Sequence, residues 1–233
     1  MRVNEAWSRA VADVAAHLHR PVGQMRVGIL DAMDATRRHP QTAAGMGRAG
    51  VAPAHMTLVS SSPVEVDAMR GATRHGRLRG ARVRHLHLGA GDAAGVAQAL
   101  APHAFDLFIL DGCSARRRTL AMLHDIRPHL ARNSVVILGV ARSHNKDPLD
   151  PADSTALRAL AGEDDDTAAR LLRAASIQLV QHRLQLDMRA AGARPFWPLW
   201  GAMGQHSYAS AQVMVYAAYA LLGDPGALPP APA

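Results

Sequence analysis

Two hydropathy patterns alternate along the chain. One is a short apolar run that ends abruptly on polar residues: Val27-Gly28-Ile29-Leu30, Met56-Thr57-Leu58-Val59, residues 83–88, Leu107-Phe108-Ile109-Leu110, and residues 135–140. Runs of this length, mostly unalternating and β-branched, suit strands covered on both faces of a parallel sheet. The other pattern recurs at three- and four-residue steps. It predicts helices over 1–20 (Val3, Trp7, Val11, Val14, Leu18), over 64–76, and from Ala93 through Val96 and Leu100. Further helices are predicted through Leu120, Leu123, Ile126 and Leu130, and over 156–160 and 167–190. A helix between two buried strands is the crossover that a parallel sheet requires. A last strand is predicted at 213–217, after the aromatic-rich stretch 193–200.

Polar chemistry gathers where the runs stop. Asp31 follows the first, Ser60 the second, Gly91-Asp92-Ala93 the third and Asp111-Gly112 the fourth. Open α/β sheets bind ligands at that edge. Asp111 stands out, because an acid that ends a buried strand is costly unless it faces a cleft. The loop after the fifth run adds Arg142 and His144, the latter either a base or one of 13 mostly superficial histidines. Asp92 reads equally as a ligand and as the N-cap of the helix beginning at Ala93. Ser62, before Pro63, reads as another N-cap. Asp164-Asp165-Asp166 suit a helix start better than a metal site. Residues 45–50 spell GxGxxG, but the motif has meaning only between a strand and a helix, and no strand precedes it.

The order of these segments resembles the class I S-adenosylmethionine-dependent methyltransferases, which often read "GDA…L…FDLIFIDG…L…L.PGGVIVL". Gly91-Asp92-Ala93, residues 105–112 and residues 130–138 occupy those places, with Ala131-Arg132-Asn133-Ser134 where the Pro-Gly-Gly turn would stand. The resemblance is good over 56–140 and weaker over 25–31. It implies a Rossmann-like α/β fold with a seven-stranded, mostly parallel sheet in the order 3-2-1-4-5-7-6. Helices would cover both faces, and a C-terminal antiparallel hairpin would be formed by the stretches near 193–200 and 213–217. Residues 25–222 would be that domain, 1–24 a helical extension over the substrate side or a dimer contact, or equally a helix simply packed on the core, and 223–233 a Pro/Ala-rich tail.

The resemblance also implies S-adenosylmethionine as cofactor, held by Asp31, Met33, Ser60, Asp92, Ala93 and Asp111, with Asp111 and His144 as catalytic candidates. Two departures bear on this. Met33 and Ala35 stand where the first loop would have glycines that let the backbone approach the cofactor. Ser60 stands where the family has a ribose-binding acid, and Glu65 or Asp67 on the next helix offers a substitute. Some relatives bind a divalent metal through acids after strands four and five; Val140-Ala141-Arg142 offers no such oxygen ligands, so no metal is expected. The expected function is methyl transfer to a small molecule in biosynthesis. The alternatives are a protein of this fold without methyl transfer and an RNA-modifying enzyme.

Composition changes the picture little. At 233 residues the chain is one domain's length, and its single Cys113 excludes an internal disulfide and fits a reducing compartment. No apolar run approaches the roughly 20 residues of a membrane span, and Asn4, Glu5, Arg9 and Asp13 interrupt any signal-peptide core, so a cytoplasmic protein is expected. The net charge of +7 is nearly all arginine, as in a GC-rich coding bias. Its densest run, Arg70 to Arg84, contains no aromatic platform for bases. It reads as a solvated face, which argues against a nucleic-acid partner.

Overall fold

The structure is a computed structural model and describes residues 3–30, 40–101, 104–114, 116–141, 151–162, 164–196, 206–207 and 213–221. Eight strands of the described residues form one sheet: β1 Val27–Leu30, β2 Met56–Ser60, β3 Arg82–His85, β4 Phe105–Ser114, β5 Leu130–Ala141, β6 Ala193–Pro195, β7 His206–Ser207 and β8 Val213–Leu221. Their order is β3-β2-β1-β4-β5-β8-β6. The first five are parallel, and β8 runs antiparallel to both β5 and β6. This is the expected 3-2-1-4-5-7-6 order with one addition, the two-residue β7 paired to β8.

Among the described residues, seven helices lie around the sheet: α1 Val3–His17, α2 Gln41–Arg48, α3 Pro63–Arg74, α4 Ala93–Leu100, α5 Arg116–Ile126, α6 Pro151–Ala161 and α7 Asp165–Ala190. Alternate strand residues explain the two layers. Val27, Ile29, Leu58, Leu107 and Ile137 meet Val11 and Val14 of α1, Met46 of α2 and Met69 of α3. Leu30, Val59, Phe108, Leu110 and Leu138 meet Val96 of α4, Ile126 of α5 and Leu184 of α7. The N-terminal helix is thus part of the core. Helix α7 is tied to α5 by an ion pair between Arg116 and Asp187, and α6 packs against α7.

Three local features differ from the sequence reading. Leu130 continues the helical spacing of Ile126, yet it opens β5. Pro128 ends the helix in a 3-10 turn at Arg127–His129, and Asn133, at φ 60°, lies where the β4–β5 register shifts. Strand β3 stops at His85, although Leu86 and Leu88 remain buried beyond it. Helix α2 was not anticipated; it absorbs Gly45 and Gly47 and so removes the dinucleotide reading of 45–50.

The predicted caps form. Ser62 Oγ accepts from the Glu65 N–H at 3.4 Å. Asp164 accepts from the Asp166 N–H at 3.0 Å and from the Thr167 hydroxyl at 2.5 Å. The Thr167 bonds hold the Asp164 carboxyl below its ordinary range. Because the folded value is the lower one, the cap stabilises above the unfolded carboxylate range and is lost as pH falls through the lowered value. Asp164→Ala is expected to speed amide hydrogen exchange in the first turn of α7 at neutral pH. Persistence of the difference in strong acid would contradict this account.

At the other end of the sheet, buried Asp106 accepts from the Arg26 N–H at 2.8 Å and from Arg20 Nη1 at 2.7 Å, with Arg26 Nε at 3.7 Å. It joins the end of α1 to the starts of β1 and β4. Both arginines are more than a third exposed and can rehydrate. Asp106→Asn is therefore expected to cost no more than about 1.5–3 kcal/mol, the range for hydrogen bonds to a charged group. The urea midpoint should fall with the slope unchanged.

Candidate functional site

The order of parallel strands reverses between β1 and β4. That is the switch point at whose carboxyl edge doubly wound sheets bind ligands. Register fixes what lies there. Val59, Leu30 and Leu110 form one row across β2, β1 and β4. Ser60 and Asp111 each follow directly on that row, one on either side of β1.

Asp111 is half-buried. It lies in an irregular stretch: Leu110 pairs with Leu138 and Ser114 with Val140, so three residues of β4 oppose the single Gly139 of β5. Bulges of this kind bend a strand and are frequent beside active sites. Cys113 is in the same stretch. The acid expected to end the buried strand thus lies within a bulge of β4 rather than at the strand's end.

Ser60 is 3% exposed, and its hydroxyl is used inside the protein. It donates to Glu65 Oε2 at 2.6 Å and accepts from the Ser62 N–H at 3.1 Å. A capping box would send the Glu65 carboxylate back to the Ser62 N–H directly. Here the Ser60 hydroxyl stands between the two and draws the carboxylate toward the end of β2. Of the two substitutes read from the sequence, Glu65 is the one brought there. Asp67 instead pairs with Arg70 on the exposed side of α3, at 3.2 Å.

Asp92 caps α4, with Oδ1 accepting from the Gly95 N–H at 2.9 Å. A Cβ on Gly95 would overlap Asp92 Oδ2, so the carboxylate is folded over the helix's own first turn. Ala93, the first residue of α4, is exposed. The loop before them turns through Gly89 and Gly91, both at positive φ. It is held by Asp125 of α5, whose Oδ2 accepts from the Gly89 N–H at 2.6 Å. Sequence reasoning missed Asp125. The signal available was an acid between Leu123 and Ile126 on the buried face of a helix.

Asp31, Met33, His144 and Arg142 lie outside the described residues. Among the described residues, no group of three or more His, Cys, Asp or Glu could hold a metal ion, and no helix is long and apolar enough to cross a membrane.

No family model matches the chain, and no curated protein matches it by sequence. Solved structures do match by fold. The N-methyltransferase NodS of Bradyrhizobium japonicum is 11% identical, with 93% of this chain and 94% of that one covered at a TM-score of 0.40. An O-methyltransferase of Bacillus cereus, solved with SAH, is 11% identical over 92% and 90% at 0.46. A TehB-like methyltransferase of Corynebacterium glutamicum is 15% identical over 92% and 86% at 0.42. Such distant likenesses say nothing about substrate or residue roles. What the sheet itself establishes is the strand order, reversal point and antiparallel β8 of the class I S-adenosylmethionine-dependent methyltransferase fold.

Proposed function

We propose that the protein transfers a methyl group from S-adenosylmethionine to a small-molecule acceptor. One observation supports this above others: acids converge on the carboxyl edge at the switch point, with Glu65 drawn onto Ser60 at the end of β2 and Asp111 set in the bulge of β4. In this reading Glu65 accepts from the ribose hydroxyls, the work of the acid that Ser60 replaces. The first turn of α4 at Asp92 and Ala93 borders the adenine. The cofactor supplies an electrophilic methyl group on a sulfonium. The chain's own residues then need only hold the acceptor in line and take its proton. Asp111 and His144 are the groups proposed for that work, without a metal. A cytoplasmic, biosynthetic setting belongs to the same proposal.

Calorimetric titration with S-adenosylmethionine tests the reading. Weak, saturable binding is expected, given Met33 and Ala35 in the first loop. No binding at about millimolar cofactor would transfer the chain to the rival class, proteins of this fold that do not methylate.

A further inference from the structure

Asp125 is an acid to which the proposed reaction gives no task. It is 9% exposed and lies on the face of α5 that also buries Met122 and Ile126. An apolar side chain would be buried there without loss, whereas a carboxylate gives up its hydration. In return its Oδ2 accepts from the Gly89 N–H at 2.6 Å. Gly89 is fitted to the same helix. A Cβ there would stand 3.2 Å from Met122 Cγ and 3.4 Å from the Arg118 carbonyl oxygen, and its φ of 75° suits glycine. The loop thus rests directly on the first turns of α5. From that anchor the chain runs through Ala90 and Gly91 to Asp92 and Ala93, all four exposed. The Asp92 cap of α4 fixes the far end. Helix α5 itself begins two residues after β4, whose bulge holds Asp111. One helix therefore sets the loop assigned to the adenine against the acid assigned to the acceptor.

We infer that Asp125 is a positioning residue for the cofactor, holding residues 89–92 ready for the adenine before any ligand arrives. The inference rests on the reading of this edge as an S-adenosylmethionine site. The carboxylate acts through the Gly89 backbone and does not itself touch the ligand. Without that bond the loop samples other conformations, and apparent affinity falls with the fraction of molecules in the competent one. The competing account is that the bond serves stability alone, as a link between two parts of the fold.

Calorimetric titration of the intact chain with S-adenosylmethionine separates the two. Asp125→Ala removes the acceptor without adding bulk, and should weaken binding by about tenfold or more, the equivalent of a lost hydrogen bond to a charged group. Asp125→Asn keeps an acceptor oxygen in place and should recover most of that loss. Gly89→Ala approaches from the loop's side: it leaves α5 unchanged, lifts the loop off the helix and should weaken binding as well. Amide exchange reports on the fold without a ligand. In Asp125→Ala the Gly89 amide should exchange faster, while those of β1 and β4 keep the parent's protection. Parent-like affinity in Asp125→Ala or in Gly89→Ala would leave the bond a stability link only. Equal weakening by Asp125→Asn and Asp125→Ala would also overturn the inference, because it requires rescue by the acceptor oxygen. Absence of binding by the parent is a different failure: it would overturn the reading of the site, and this inference with it.

Discussion

Gly28→Ala is expected to destabilise the protein by about 3 kcal/mol or more, at the upper end of what overpacking a core costs. Glycine in the middle of a central strand ordinarily weakens it, so its presence calls for a close neighbour. That neighbour is Phe108, its register partner on β4. A Cβ on Gly28 would come within 2.9 Å of the ring's Cζ and still closer to Cε2 and Cδ2. The ring cannot easily retreat. It is fully buried, and Phe105 packs against it edge-on, with centroids 5.2 Å apart and planes at 88°. Because β1 and β4 flank the switch point, an adjustment there would also move the row that carries Ser60 and Asp111. Urea unfolding measures the loss. The double variant Gly28→Ala, Phe108→Leu should recover much of it, since the two positions share one space. A single variant as stable as the parent would rule out the steric account.

The same strand shows what the sequence could and could not convey. The run Val27-Gly28-Ile29-Leu30 announced a strand buried on both faces, and so did its counterparts in β2, β4 and β5, because burial on two faces leaves no polar alternation to hide. The family resemblance carried by the order of the segments then implied the sheet order. Where local signals competed, boundaries were less legible. Leu130 satisfied a helical period and still entered β5, because Pro128 acts on the backbone whatever the apolar spacing. Helix α2 was obscured by its own glycines. In the site, single positions were legible and their connections were not. Asp92 as a cap and Ser62 as a cap each followed from neighbours in sequence. The Ser60–Glu65 bond was only one of two substitutions that the spacing allowed. Asp125 reaches Gly89 across 36 residues, a contact that no local pattern carries.

The Ser60–Glu65 bond also supports the more demanding prediction. If Glu65 receives the ribose hydroxyls, Glu65→Gln should weaken S-adenosylmethionine binding by about one to two decades. A hydrogen bond to a charged acceptor is worth roughly 1.5–3 kcal/mol, and glutamine keeps the shape without the charge. Stability should hardly change, because the Ser62 cap of α3 accepts from the Glu65 backbone N–H, which the substitution leaves in place. Ser60→Ala should act in the same direction but less strongly. It removes the hydroxyl that draws the carboxylate over, and also an acceptor for the Ser62 N–H. Asp67→Asn is the control: its carboxylate is 76% exposed and faces Arg70, so cofactor affinity should stay as it is. Asp92 needs a different substitution, because alanine would remove the cap of α4 together with the charge. Asp92→Ser keeps a capping oxygen and loses only the carboxylate. Its effect on affinity should be smaller than that of Glu65→Gln, since the carboxylate is turned toward Gly95. If Glu65→Gln binds as tightly as the parent while Asp92→Ser does not, the ribose is held elsewhere and the Ser60–Glu65 pair is only the start of a helix. If both bind as the parent does, the cofactor does not use this edge at all.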